Sequence, residues 1–155
     1  MNFISSSSPD ELIDKITNVG ATSVKFFSSF FKKLNDDKFE VEITWNSPSE
    51  KRLEWQGSKE KILSLYNTLN NIVLQEPDPI QFEGEITIIN IRGKIEILSK
   101  EKIRYLCNYP TILLETIKEL HVGQFCACKI LKTIISNSVT GKEKFEYNLV
   151  EITPQ

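Results

Sequence analysis

Few side chains in this sequence are equipped for chemistry, and their spacing limits what that chemistry is. His121 is the single histidine among 155 residues, so a histidine-based nucleophilic layout has one candidate base. Such a layout needs the imidazole beside a nucleophile and held by an orienting group. His121 stands before Val122-Gly123, in the last turn of a predicted helix, where it reads as a helix-end cation on exposed carbonyls. Cys126 and Cys128 lie two apart on a predicted strand and so share a face. With Cys107 and His121 they match the ligand count of a Cys₃His zinc site. A C-x-C spacing on a strand lacks the turn with which a CxxC knuckle wraps a metal, and cysteine is among the most buried residue types. The cysteines are therefore read as core residues, with no metal and no cofactor.

Ser58-x-x-Lys61 matches the serine and lysine spacing of β-lactam-directed hydrolases, but the companion motifs are missing and Ser58 reads as a helix cap. Gly141-Lys142 is not a phosphate-binding loop, because the earlier glycine and the following Ser/Thr are absent. No pair of carboxylates falls in an apolar setting suited to glycoside hydrolysis. The inventory supports no catalytic residue, and the chain is expected not to be an enzyme.

Two other constellations suit binding. Arg92, Lys94, Lys100, Lys102, Arg104, Tyr105 and Tyr109 cluster on three predicted strands and the loop after them. Single-strand binders combine cations for phosphates with aromatic platforms for bases. Lys102 and Arg104 share a face by strand spacing, Tyr105 points opposite, and Glu96 and Glu101 dilute the charge. The plainer reading is a solvated, charge-mixed sheet surface. The second constellation is Phe26, Phe27, Phe30 and Phe31, two overlapping i,i+4 pairs that cover a wide arc of one helix with Val24 and Leu34. The plainer reading is a core helix between the hairpin and its neighbours; the sharper one makes part of that arc a candidate protein interface, joined by Trp45 and Trp55, since aromatics are enriched in interface cores.

The elements that must position these residues follow from composition and pattern. Hydrophobic residues make up 40% and charged residues 26%, as in a soluble globular protein. Nineteen basic and 21 acidic residues leave a net charge of −2, which argues against a polybasic duplex binder. Three cysteines do not make a disulfide scaffold, residues Met1 to Ser8 lack a signal-peptide pattern, and no apolar run approaches a bilayer span. A cytoplasmic, reducing location with no membrane partner is expected.

Leu74-Gln75-Glu76-Pro77-Asp78-Pro79 reads as an extended linker, because each proline fixes its own φ and restricts the residue before it. It separates a mildly acidic first half, residues 1–76, from a mildly basic second half, residues 80–155. In the first half, Ser8-Pro9-Asp10-Glu11 opens a helix carrying Leu12, Ile13, Ile16 and Val19, with Gly20 as its stop. A second helix runs from about Ser23 to Leu34. Phe39, Val41, Ile43 and Trp45 alternate on a strand, and Leu53 and Trp55 on its hairpin partner. A further helix, capped by Ser58, presents Ile62, Leu65, Tyr66, Leu69, Ile72 and Val73.

In the second half, strands are expected over Phe82–Ile91, Lys94–Leu98 and Lys102–Cys107. Pro110 then opens a helix with Ile112, Leu113, Ile117 and Leu120. Two more strands follow, Gln124 to about Ile135 and Phe145 to Ile152. Three strands, a helix and two strands is an order that resembles the OB-fold, a five-stranded Greek-key barrel. The resemblance spans residues 80–153 and rests on element order. It implies an OB-like barrel with one helix between its third and fourth strands, whose second and third strands form an oligonucleotide-binding face.

The expectation is an α+β protein of two domains: N-terminal helices plus a β-hairpin, then the OB-like barrel. The expected role is a small non-catalytic binding or adaptor protein that contacts another protein, either a copy of itself or a different chain. The alternative is a single-stranded nucleic-acid binder using Arg92, Lys94, Lys102, Arg104, Tyr105 and Tyr109.

Overall fold

A computed structural model describes residues 20–46 and 52–155. Three α-helices and eight strands occur among these residues: α1 (Ala21–Asp36), β1 (Val41–Asn46), β2 (Arg52–Gly57), α2 (Lys59–Asn70), β3 (Ile72–Leu74), β4 (Asp78–Asn90), β5 (Lys94–Ser99), β6 (Arg104–Asn108), α3 (Leu114–Lys118), β7 (Phe125–Asn137) and β8 (Glu143–Pro154). The structure is mixed α+β. The helix expected after Ser8 lies outside the described residues, as do most of the hairpin turn and the side chains of Trp45 and Leu53.

The described chain packs as two units. Residues through Leu74 combine with Ile135–Lys144, and Gln75–Ile134 combines with Phe145–Gln155. In the first unit, β1 and β2 pair antiparallel, from Val41↔Gly57 to Asn46↔Arg52. Ser58 caps α2, its hydroxyl accepting from the Lys61 amide at 3.4 Å. Val24, Phe31, Ile62, Leu69 and Ile135 form the core, with Phe27, Phe30, Leu34, Trp55 and Tyr66 packed around it.

Three first-half expectations change. Gly20 is the N-cap of α1, which begins two residues before the expected Ser23. Phe39 precedes β1 instead of starting it, because its amide bonds back to Leu34 carbonyl at 3.0 Å and closes the end of α1. Ile72 and Val73 do not extend α2. They form β3, which pairs with β7 as Ile72↔Asn137 and Val73↔Ser136. The Asn71 carbonyl accepts from both the amide and the hydroxyl of Ser138, so the chain exchanges helix bonds for sheet bonds where two β-branched residues begin.

In the second unit, five strands join as a ring: β7–β4–β5–β6–β8, with β8 pairing back to β7. All these pairings for which a register is given are antiparallel except β6–β8, which is parallel at Cys107↔Tyr147 and Asn108↔Asn148. Ile86, Ile95, Ile97, Cys107, Cys126, Ile130 and Leu149 fill the interior with Ile117 of α3. β4 bonds on both sides near Gly84, opposite Ser99 of β5 and Cys126 of β7. A Cβ there would lie 2.5 Å from Leu98 carbonyl oxygen and 2.9 Å from an Ile97 methyl, so the crossing of three strands requires glycine.

Here too the boundaries move. β4 starts at Asp78, four residues before Phe82, since the long β7 offers partners back to Lys132. Pro79 is tolerated because only β7 pairs with that stretch, leaving one side without a ladder. Lys102 is not in β6: it sits in a tight turn at φ 66, and its amide donates to Ser99 carbonyl at 3.0 Å. The helix expected from Pro110 through Leu120 shrinks to a 3₁₀ turn at Thr111–Leu113 and the five residues of α3. His121 therefore lies beyond the helix, exposed, with its amide donating to the Gln124 side chain at 3.2 Å.

Candidate functional site

Two surfaces carry the side chains singled out by the sequence, one on each unit. On the ring, alternation along β5 and β6 decides which residues face out. Ile95, Ile97 and Cys107 are buried inside, so Lys94, Glu96 and Leu98 face outward on β5, with Arg104, Leu106 and Asn108 on β6. The register sets Ile88, Glu96 and Leu106 in one row across three strands, with Ile88 and Leu106 half-exposed.

The cationic and aromatic candidates do not converge on that face. Arg104 pairs with Glu96 at 2.9 Å, and Glu96 also accepts from the Thr87 hydroxyl at 2.7 Å. Lys100 pairs with Glu83, and its ammonium holds the exposed Glu83 carboxyl below the usual carboxylate range. Arg92 and Lys102 are exposed in separate turns, and Lys94 is half-buried. Tyr105 points inward, between Phe82 at 4.5 Å and Tyr147 at 5.2 Å between ring centroids. Burial, then Tyr105, raises the Tyr147 phenol. Tyr109 is 8% exposed and donates its hydroxyl to Asn90 carbonyl at 2.8 Å. The expected stacking platforms are thus spent on the interior, and β5 and β6 present no outward aromatic ring. Sequence spacing placed Tyr105 opposite Arg104 correctly; which of the two sides was the inside depended on ring closure.

The cysteines are interior. Cys126 donates to Gly84 carbonyl at 3.4 Å, and its sulfur lies 3.3 Å from that of Cys128. Burial pushes the Cys107 thiol up to about 12. The hydrogen bond to Cys126, and then burial, push Cys128 up as well. All three are free thiols. Among the described residues, no group of three or more His, Cys, Asp or Glu is arranged to hold a metal ion. Lys61 does not approach Ser58 as a base would: its ammonium donates to Gln56 carbonyl at 3.3 Å, while the Ser58 hydroxyl donates to Glu60 at 2.8 Å.

The first unit arranges its phenylalanines differently. Phe31 is 0% exposed and meets Trp55 edge-on at 6.0 Å, whereas Phe26 is 66% exposed and stacks on Phe30 at 6.5 Å. Phe27 bridges the two, contacting Phe26 at 5.7 Å and Phe31 at 6.3 Å. An aromatic stripe therefore runs from the core to the solvent side of α1. A neighbouring feature escaped the sequence reading: a groove of about 240 Å³ between the C-terminal end of α1 and the N-terminal end of α2, lined by Leu34, Phe39, Ile62 and Leu63. Its one sequence signal is Phe39, which the strand pattern had absorbed.

No known protein family matches this sequence. A search of curated proteins likewise finds no match. No helix among the described residues is long and apolar enough to cross a membrane.

Proposed function

We propose that this protein is a non-catalytic binding or adaptor protein that docks another protein through its first unit. The observation that carries the reading is the stripe on α1, where Phe26 is 66% exposed and stacked on Phe30. A large aromatic group held rigidly at the surface offers contact area at low entropic cost, which is how interface anchors work. Trp55 remains a supporting residue through its contact with Phe31, and Trp45 belongs to the same proposal by sequence alone. Free thiols suit a reducing compartment, and we place the protein in the cytoplasm.

We read the ring as an OB-type barrel. Its support is the strand order, the parallel pairing of the third and fifth ring strands, and the short helix between the third and fourth. An OB-type barrel hosts unrelated roles, so function rests on its surface. The nucleic-acid alternative keeps Arg92, Lys94, Lys102 and Arg104 but loses Tyr105 and Tyr109 as stacking platforms, which is why the protein partner is preferred.

Photo-crosslinking from position 26 of the full chain tests the docking role. Discrete adducts, with a second copy or with another protein, that vanish on Phe30→Ser support it. Labelling no more specific than from Thr22, on the same helix, overturns it.

A further inference from the structure

We propose that the groove between α1 and α2 accepts an acidic amphipathic segment of a partner protein, one that presents an aliphatic side chain next to a carboxylate. The inference rests on the docking role proposed for the first unit and names the chemistry of what docks. The floor of the groove is apolar: Leu34 and Ile62 close it, and Phe39 and Leu63 remain 56% and 45% exposed at its sides. Its volume of about 240 Å³ is below the roughly 300–1,000 Å³ of small-molecule sites and suits one anchoring side chain from a peptide.

The rim supplies the charge preference. Lys38 and Lys59 line the groove, and neither forms a salt bridge among the described residues. Glu60 is the one carboxylate in the lining; the Ser58 hydroxyl, donating at 2.8 Å, is the main reason its carboxyl is held low, so it stays anionic and Lys38, Lys59 and Glu60 together leave the rim with a net charge of +1. Asp36 and Asp37 lie close in the chain but do not line the groove. Lys38 is locked at φ 59 by the turn that ends α1, so its position at the rim is set by the backbone. An apolar floor whose edge carries two cations against one carboxylate favours an entering aliphatic group whose neighbour is anionic and disfavours one whose neighbour is cationic.

The test uses the full chain and a short fluorescent peptide with a leucine face and a glutamate face, read by anisotropy at low salt. Saturable binding is expected, weakened about tenfold when the glutamates are replaced by glutamine and abolished when they are replaced by lysine. The double variant Lys38→Glu, Lys59→Glu should weaken it about tenfold with an unchanged melting temperature, and Leu63→Ser by a similar factor with the chain still folded by far-UV circular dichroism, since Leu63 is 45% exposed. Ile112→Ser, at an exposed turn of the second unit, should leave it unaltered. No saturable binding, equal binding of the glutamine peptide, or no effect of the rim variants overturns the proposal. Loss on Phe26→Ser but not on Leu63→Ser also overturns it, while leaving the stripe as the docking surface. Equal binding of a free fatty acid, or a dimer that dissociates on Leu63→Ser without peptide binding, assigns the groove to a lipid or to a second copy and likewise overturns it.

Discussion

The two units bury their apolar residues by different geometries. The second bends its strands into a ring, so inward side chains of β4, β5, β6, β7 and β8 meet one another and the interior combines aliphatic, thiol and aromatic groups. Among its described residues the first has two helices, a two-stranded sheet and β3 paired to the end of β7, and a hairpin cannot close on itself. Its aromatic residues reach beyond the core, leaving Phe26 and Phe39 largely at the surface. Closure turns Tyr105 and Tyr109 inward and leaves Phe125 and Phe145 about half-exposed on β7 and β8, whereas the helical layer leaves Phe26 and Phe39 more than half-exposed. The recognition surfaces proposed for this protein therefore fall on the less closed unit.

The largest expected effect breaks the contrast within a single helix. Phe31→Ala should cost about 3–5 kcal/mol, while Phe26→Ser should stay within about 0.5 kcal/mol, both read from urea unfolding by tryptophan fluorescence. Equal costs would mean that the stripe is core throughout. In the ring, Gly84→Ala should cost about 1–3 kcal/mol, because the new methyl meets backbone of β5 that cannot move aside cheaply. A neutral outcome in the same unfolding assay would show that the three-strand crossing is looser than its geometry. The smallest effect concerns pH. Cys107 is raised from its ordinary 9.0 to about 12, so its contribution is complete below 9.0 and is lost as pH rises toward 12. The loss from this thiol should reach about 1 kcal/mol by pH 10, and Cys107→Ala should make the slope shallower, leaving the share of the similarly raised Cys128. An unchanged slope would place the alkaline sensitivity elsewhere.

Much of the fold was legible because periodicity records burial. Ile95 and Ile97 alternate with Lys94 and Glu96, and that pattern alone places β5. Ser58 marked the start of α2 through its capping chemistry. Boundaries were less legible where long-range partners decided them. Ile72 and Val73 continue the helical pattern of α2 and leave it only because β7 offers them a ladder. On β7 itself the buried parity changes, from Cys126, Cys128 and Ile130 to Thr133 and Ile135. A strict alternation reading has no means of locating such a shift. Lys102 looked like strand because its neighbours did, yet the turn bonds around Ser99 hold it at positive φ.

The candidate sites divide in the same way. Sequence by itself determined that Cys126 and Cys128 share a face, that Phe26, Phe27, Phe30 and Phe31 cover a broad helical arc, and that a histidine-based layout has a single candidate, His121. These follow from local geometry, which repeats every few residues. Tertiary structure alone decided that Tyr105 and Tyr109 face the interior and that Phe39 and Leu63 border a groove. Which side of an element becomes the inside depends on what packs against it, and that partner lies far away in the chain.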